Sequence, residues 1–148
     1  MKTLDGKMHS VMELAEKLKK TPRRYGTEEL LTGSEIHLIH RIGEYEGDLS
    51  VTDIARLMGV TKGAVSQTLK RLEGKGLTAK KPDPQNASRS IVTLTETGMA
   101  ALRAHQRWHK AMDGGFRAYY DSLSPDRVEF LEEFFTRWED FLKRLSET

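Results

Sequence analysis

Apolar positions recur at helical spacing through most of this chain and alternate in two short runs. The pattern predicts a first helix over Met8–Lys20, with Met8, Val11, Met12, Ala15 and Leu18 on one stripe. Pro22 ends it. Nothing adjacent in sequence covers that stripe, so another element or another chain must. Thr27–Leu31 reads as a linker, and Thr32 or Ser34 caps a second helix, about Glu35–Tyr45, that buries Ile36, Leu38, Ile39 and Ile42. Leu77–Lys81 and Ser90–Leu94 alternate as strands around a turn-rich tip, Pro82 to Arg89. Thr95 caps a long helix over Glu96–Ser122, bent at Gly114-Gly115. Ser124 and Pro125 open a last helix as N-cap and first residue. It buries Val128, Leu131, Phe134, Phe135, Trp138, Phe141, Leu142 and Leu145. That stripe is wider than one partner helix needs, which predicts a subunit interface joined to the first helix.

The most informative stretch is Ser50–Gly76, SVTDIARLMGVTKGAVSQTLKRLEGKG. Its first short helix carries Val51, Ile54, Ala55, Leu57 and Met58 as apolar residues. Gly59 in the turn takes positive φ without steric cost. Thr61 stands at the N-cap of a second helix, with Ala64, Val65, Leu69 and Leu72 inward and Lys62, Ser66, Gln67, Lys70 and Arg71 outward. Gly74 and Gly76 stop it. Two such helices about a glycine turn form a helix-turn-helix, whose second helix enters the DNA major groove. The hairpin that follows is placed as a wing. Arg89 near its tip has two readings, insertion into a narrow minor groove or an ion pair with Asp83 across the hairpin.

The 148 residues suggest a single domain with a real core. No apolar run reaches the length of a membrane span, and the N-terminal residues lack the apolar centre of a signal peptide. A cytoplasmic location is expected. Without cysteine there is no disulfide, thiol switch or thiolate ligand. The net charge of +2 is too small to argue for nucleic acid, but its distribution does. Thr61–Arg89 holds seven bases against two acids, while Asp121–Thr148 holds eight acids against four bases. One region attracts phosphate and the other does not.

The order of elements resembles the MarR family of transcription regulators. Leu31–Ile42 (LTGSEIHLIHRI), Ser50–Leu77 and the wing Asp83–Gly98 (DPQNASRSIVTLTETG) carry the resemblance. The exit Leu-Glu-x-Lys-Gly-Leu from the second helix and the entry Leu-Thr-x-x-Gly to the long helix are specific in combination. The resemblance implies a mainly α fold with a small β-hairpin wing. It implies a homodimer acting on double-stranded DNA at a pseudopalindromic operator. The winged helix-turn-helix would span 33–98, with dimerisation helices at 1–30 and 100–148, the recognition helix at 61–75 and the wing at 77–94. The DNA-binding set would be Thr61, Lys62, Gly63, Ser66, Gln67, Lys70, Arg71 and Arg89. One departure concerns the wing. Where the family often has Asp-Arg-Arg, this chain has Asn86, Ala87 and Ser88, so wing contacts are expected to be weaker or shifted.

Five histidines are present: His9, His37, His40, His105 and His109. His105 and His109 share one helix face at i, i+4. The arrangement is similar to the zinc-responsive branch of the family, which implies His37, His105 and His109 as metal ligands with a carboxylate. Glu28, Glu29 or a water stand as candidates for the fourth. Two effector classes stay open, a metal ion such as zinc and a small aromatic ligand. A different class of function, a winged-helix interaction protein that never touches DNA, would not need Lys62, Gln67 and Lys70 outward together. Enzymatic readings find no support. Gln106 stands where a metallopeptidase helix needs its glutamate base, and there is no nucleophile elbow, phosphate loop or dinucleotide fingerprint.

Overall fold

A computed structural model describes residues 3–147. In chain order the elements are α1 (Leu4–Lys20), α2 (Gly33–Glu44), α3 (Val51–Met58), α4 (Lys62–Gly74), β1 (Thr78–Asp83), β2 (Asn86–Leu94), α5 (Glu96–Met112), α6 (Phe116–Asp121) and α7 (Pro125–Ser146). The fold is mainly α with one antiparallel hairpin, as the pattern predicts. The chain forms two compact units, one up to Lys110 and one from Ala111 onward.

Capping sets the helix starts of the first unit. Thr3 caps α1 by accepting from the Gly6 N–H. Thr32 with Glu35, and Ser50 with Asp53, form reciprocal capping boxes on α2 and α3. Thr61 accepts from the Ala64 N–H on α4, and Thr95 from the Gly98 N–H on α5. Such caps are each worth about 0.5–2 kcal/mol. Between α3 and α4, Gly59 adopts φ 64°, the left-handed turn that reverses the chain.

The core of this unit joins α2, α3, α4, the hairpin and α5. Leu31, Ile36, Leu38 and Ile39 meet Ile54, Val65, Leu69 and Leu72, and Leu77, Val92, Ala101 and Leu102 close the other side. The hairpin pairs Thr78 with Leu94 through Pro82 with Ser90, and an irregularity after Pro82 brings Asp83 opposite Asn86. The Val92 N–H donates to the Leu49 carbonyl at 2.8 Å, tying the hairpin to the chain before α3. The junction of wing and α5 is tight. The Thr95 hydroxyl donates to the Gly76 carbonyl, and Gly98 packs so close to the Leu77 carbonyl that a Cβ would collide with it.

Glu35 is 1% exposed and belongs to this frame. Lys75 donates to both of its oxygens at 2.9 Å. Burial alone would raise its pKa, but the Lys75 ammonium and the Thr32 backbone N–H outweigh it and hold the carboxyl below its ordinary range. The pair locks the end of α4 onto the start of α2.

Several expectations need correction. The first helix starts at Leu4, because the Thr3 cap lies ahead of the apolar stripe. The strands run longer than their alternation, leaving Pro84 and Gln85 as the tip. The expected long helix over Glu96–Ser122 is broken, not bent. It ends at Met112, and Gly114 and Gly115 both take positive φ before α6. Ser124 and Pro125 open α7 at the expected positions, but the Ser124 side chain makes no cap bond. Ala64 is exposed, because α4 turns only Val65, Leu69 and Leu72 fully inward. Within the single chain no residue of α7 is buried, and Phe135, Phe141 and Leu145 are about half exposed or more. Its apolar stripe exists, but the lone chain does not cover it.

Candidate nucleic-acid interface and histidine cluster

The outward face of α4 is built by its cap and by its three buried residues. With Thr61 holding the first turn, and Val65, Leu69 and Leu72 inward, the helical period turns Lys62, Gly63, Gln67, Lys70 and Arg71 to solvent. Ser66 is half-buried beside them. Arg71 is only partly free. Its Nε lies 3.5 Å from Glu35, and a terminal nitrogen donates to the Thr68 hydroxyl at 3.1 Å. Lys62, Gln67 and Lys70 thus remain the outward donors nearest the start and middle of the helix.

Arg89 is held in place from two sides. One terminal nitrogen donates to Asp83 at 2.9 Å, and the other to Asp53 at 2.6 Å and to the Asp48 carbonyl at 3.3 Å. The expected ion pair with Asp83 is therefore present, and a second one binds the wing to α3. Asp53 also accepts from the Ser50 hydroxyl and backbone N–H. Those two bonds, then Arg89, hold its carboxyl well below the usual carboxylate range. Asp53 was not singled out in the sequence; its Ser-x-x-Asp spacing would have marked it as a capping residue, but nothing local marks its reach to the wing.

The histidines gather on the facing sides of α2 and α5. His105 is 2% exposed and sits at the centre of the group. Its ring lies 4.4 Å from that of His109, 5.4 Å from His40 and 5.9 Å from His37, centroid to centroid. The Nε2 atoms of His105 and His109 are 2.9 Å apart, within hydrogen-bond distance. Tyr25, at a positive φ of 24°, packs edge-on against His105 at 5.1 Å. Burial, then the neighbouring His109, His40 and His37, push the His105 pKa down to about 4. Burial, then His109 and His40, also lower that of His37. The rings line a cleft of about 630 Å³ with Arg41, Leu57, Met58 and Gln106.

The donor chemistry of this cluster suits zinc. Neutral imidazoles carry free lone pairs, and the Nδ1 atoms of His40 and His105 are buried without a hydrogen-bond partner. The rings, however, face one another edge to face. Among the described residues, no group of three or more His, Asp or Glu stands ready to hold a metal ion. His37, His105 and His109, the set that the resemblance implies, lie near one another but are not converged on one point. Glu28 and Glu29, the expected carboxylate candidates, are exposed and are not among the residues lining the cleft. His40 is. It went unassigned in the sequence, although it follows His37 by three residues on the same helix, which is the spacing that would have found it.

Residues 31–87, which span α2 to the wing tip, match the MarR family model. An HTH-type transcriptional regulator of Bacillus subtilis, YhjH, itself uncharacterised, is 28% identical over 129 residues, covering 84% of this chain and 73% of that protein. Over these residues, from α2 to the wing tip, the chain is similar to the MarR family. Its fold also matches solved structures, among them two that cover nearly the whole chain. FabT of Streptococcus pneumoniae, solved in complex with DNA, superposes with a TM-score of 0.70 at 24% identity, covering 96% of each chain. ZitR of Lactococcus lactis, described as a zinc-responsive MarR family member, gives 0.68 at 15% identity, covering 94% of this chain and 96% of its own. The match extends over α1 and α7 as well as the winged region.

Among the described residues, no helix is long and apolar enough to cross a membrane.

Proposed function

We propose that this protein is a MarR-type regulator, homodimeric and sequence-specific in DNA binding, that acts in the cytoplasm. The carrying observation is the capped α4, which presents Lys62, Gln67 and Lys70 together beside a hairpin wing. Gln67 and Ser66 read base edges in the major groove. Gln is suited to a bidentate pair with adenine. Thr61, Lys62, Gly63, Lys70 and Arg71 lie along the phosphates and set the register. Arg89 orients the wing through Asp53 and Asp83 at the minor-groove side. The apolar stripes left open on α1 and on α7 supply the dimer contact, and two-fold symmetry matches a pseudopalindromic operator. The FabT complex with DNA supports the same use of this fold.

We assign effector response to the histidine cluster. His37 on α2 and His105 and His109 on α5 would hold a divalent metal such as zinc, which would supply a cross-link between the two helices. His105 accepts this role because it is neutral and buried. His37 connects it to α2, which Glu35 and Lys75 lock to the end of α4. A second effector reading rests on an adjoining cavity of about 280 Å³, lined by Leu38, Met58, Val60 and Val65 with Lys19 at its side, which shares His37 and Met58 with the histidine cleft. Its size and single cation suit a small aromatic anion. The deciding experiment selects binding sites from random duplexes with tag-free protein. It then measures operator affinity in chelator, in zinc, and with an aromatic acid. Selection of a palindromic consensus supports the reading. Enrichment of no sequence over non-specific DNA refutes it.

A further inference from the structure

We propose that His40 is a metal ligand through its Nδ1 atom, so that the histidine cluster is a four-imidazole site with no carboxylate in contact with the ion. This rests on the metal reading of the same cluster and names its missing member. The argument starts from the two nitrogens of His40. Its Nε2 lies 2.8 Å from a Glu44 oxygen, one turn along α2. A carboxylate only accepts, so Nε2 carries a proton, and in the neutral ring Nδ1 carries the lone pair. That Nδ1 is the atom buried without any hydrogen-bond partner. A buried lone pair with no donor is costly unless something fills it.

The position is also right. His40 and His105 lie edge to face at 5.4 Å between ring centroids, across the two helices. His105 likewise keeps its Nδ1 buried and unpartnered. Two helices then each offer a pair, His37 with His40 on α2 and His105 with His109 on α5. Histidine ligands regularly donate their second N–H to a carboxylate, which fixes tautomer and ring plane. Glu44 already does this for His40. No comparable carboxylate lines the cleft itself, where Arg41 is the charged neighbour. Four neutral imidazoles leave the full charge of the ion in place and select borderline metals over magnesium, calcium or manganese.

The test titrates Co²⁺, followed by competing Zn²⁺, into tag-free full-length protein after chelation. Wild type, His40→Gln, Glu44→Gln, His105→Ala and, as a control, His9→Gln are compared. His9 forms a similar pair with Glu13 but lies on α1. Wild type should show the intense visible band of tetrahedral nitrogen-bound Co²⁺, bleached by Zn²⁺. His105→Ala should abolish it. His40→Gln should weaken binding at least tenfold and change the band. Glu44→Gln should weaken it roughly 10-fold or more, as loss of an outer partner does. His9→Gln should match wild type. Melting curves without metal show whether each variant is folded, and Glu44→Gln tests the assignment should His40→Gln unfold. Wild-type affinity and spectrum in folded His40→Gln, with binding lost in His105→Ala, would overturn the role of His40 while leaving a three-histidine site. Failure of wild type to bind would overturn both, and operator binding by the same metal-free protein would keep the DNA reading separate from either.

Discussion

Gln67 and Lys70 stand three residues apart on the same exposed face, yet they should fail differently when removed. An amide that pairs with adenine discriminates between bases by roughly 1–3 kcal/mol. Gln67→Ala should therefore relax preference at one base pair per half-site, read as a flattened column in a selected consensus. Lys70 offers a point charge. Lys70→Ala should weaken all duplexes alike and reduce the salt slope by about 1 per subunit. A uniform loss across all duplexes in Gln67→Ala would reject its reading role. Arg89 belongs to a third kind. It is spent on Asp53 and Asp83, so Arg89→Ala and Asp53→Asn should lower operator affinity by similar factors and both increase amide exchange in the hairpin. If Arg89→Ala costs much more and also flattens the salt slope, the guanidinium reaches DNA directly.

Elements were legible where a local rule and the apolar period agreed. Thr61 with Val65, Leu69 and Leu72 specified α4, because capping and periodicity act within a few residues. The break after Met112 was misjudged, since paired glycines signal weakness in a helix without saying whether it bends or ends. The histidine cluster was half legible. The i, i+4 pair on α5 and the i, i+3 pair on α2 are each local, but that the two pairs meet depends on the tertiary fold, which leaves no mark in spacing. That packing has a consequence for acid stability. Unfolded His105 would take up a proton near its ordinary 6.5, whereas the native residue does so only near 4. Between these values the unfolded chain binds more protons, so stability falls as pH is lowered. The slope approaches about 1.4 kcal/mol per pH unit for each such group. Thermal melts of metal-free protein between pH 7 and 4.5 should show this loss, and His105→Gln should flatten it. A pH-independent melting temperature across that window would mean that the imidazole is not desolvated as described.

On the scale of the molecule, the open question is what covers the apolar faces outside the first unit's core. On α1, Val11, Leu14 and Leu18 are each more than half exposed, and on α7 so are Phe130, Phe135 and Leu145. Soluble chains seldom leave contiguous apolar stripes of this kind unpaired. The proposed isologous pairing of two chains would cover them and would set two recognition helices about one DNA turn apart, roughly 34–36 Å. Sedimentation at micromolar concentration should find a dimer of twice the 16.9 kDa chain. Charges placed on the stripe, as in a Phe135→Glu, Leu145→Glu variant, should move it to monomer while leaving the first unit folded, because neither residue is buried in the chain itself. The DNA consequence is the stronger test. A monomer must bind each half-site alone and forfeits the gain from linked sites, commonly 10²- to 10⁴-fold. Its affinity for an isolated half-site should stay unchanged while that for the full operator falls by such a factor. Equal loss on half-site and full operator would place the damage in the reading unit and remove α7 from the dimer contact.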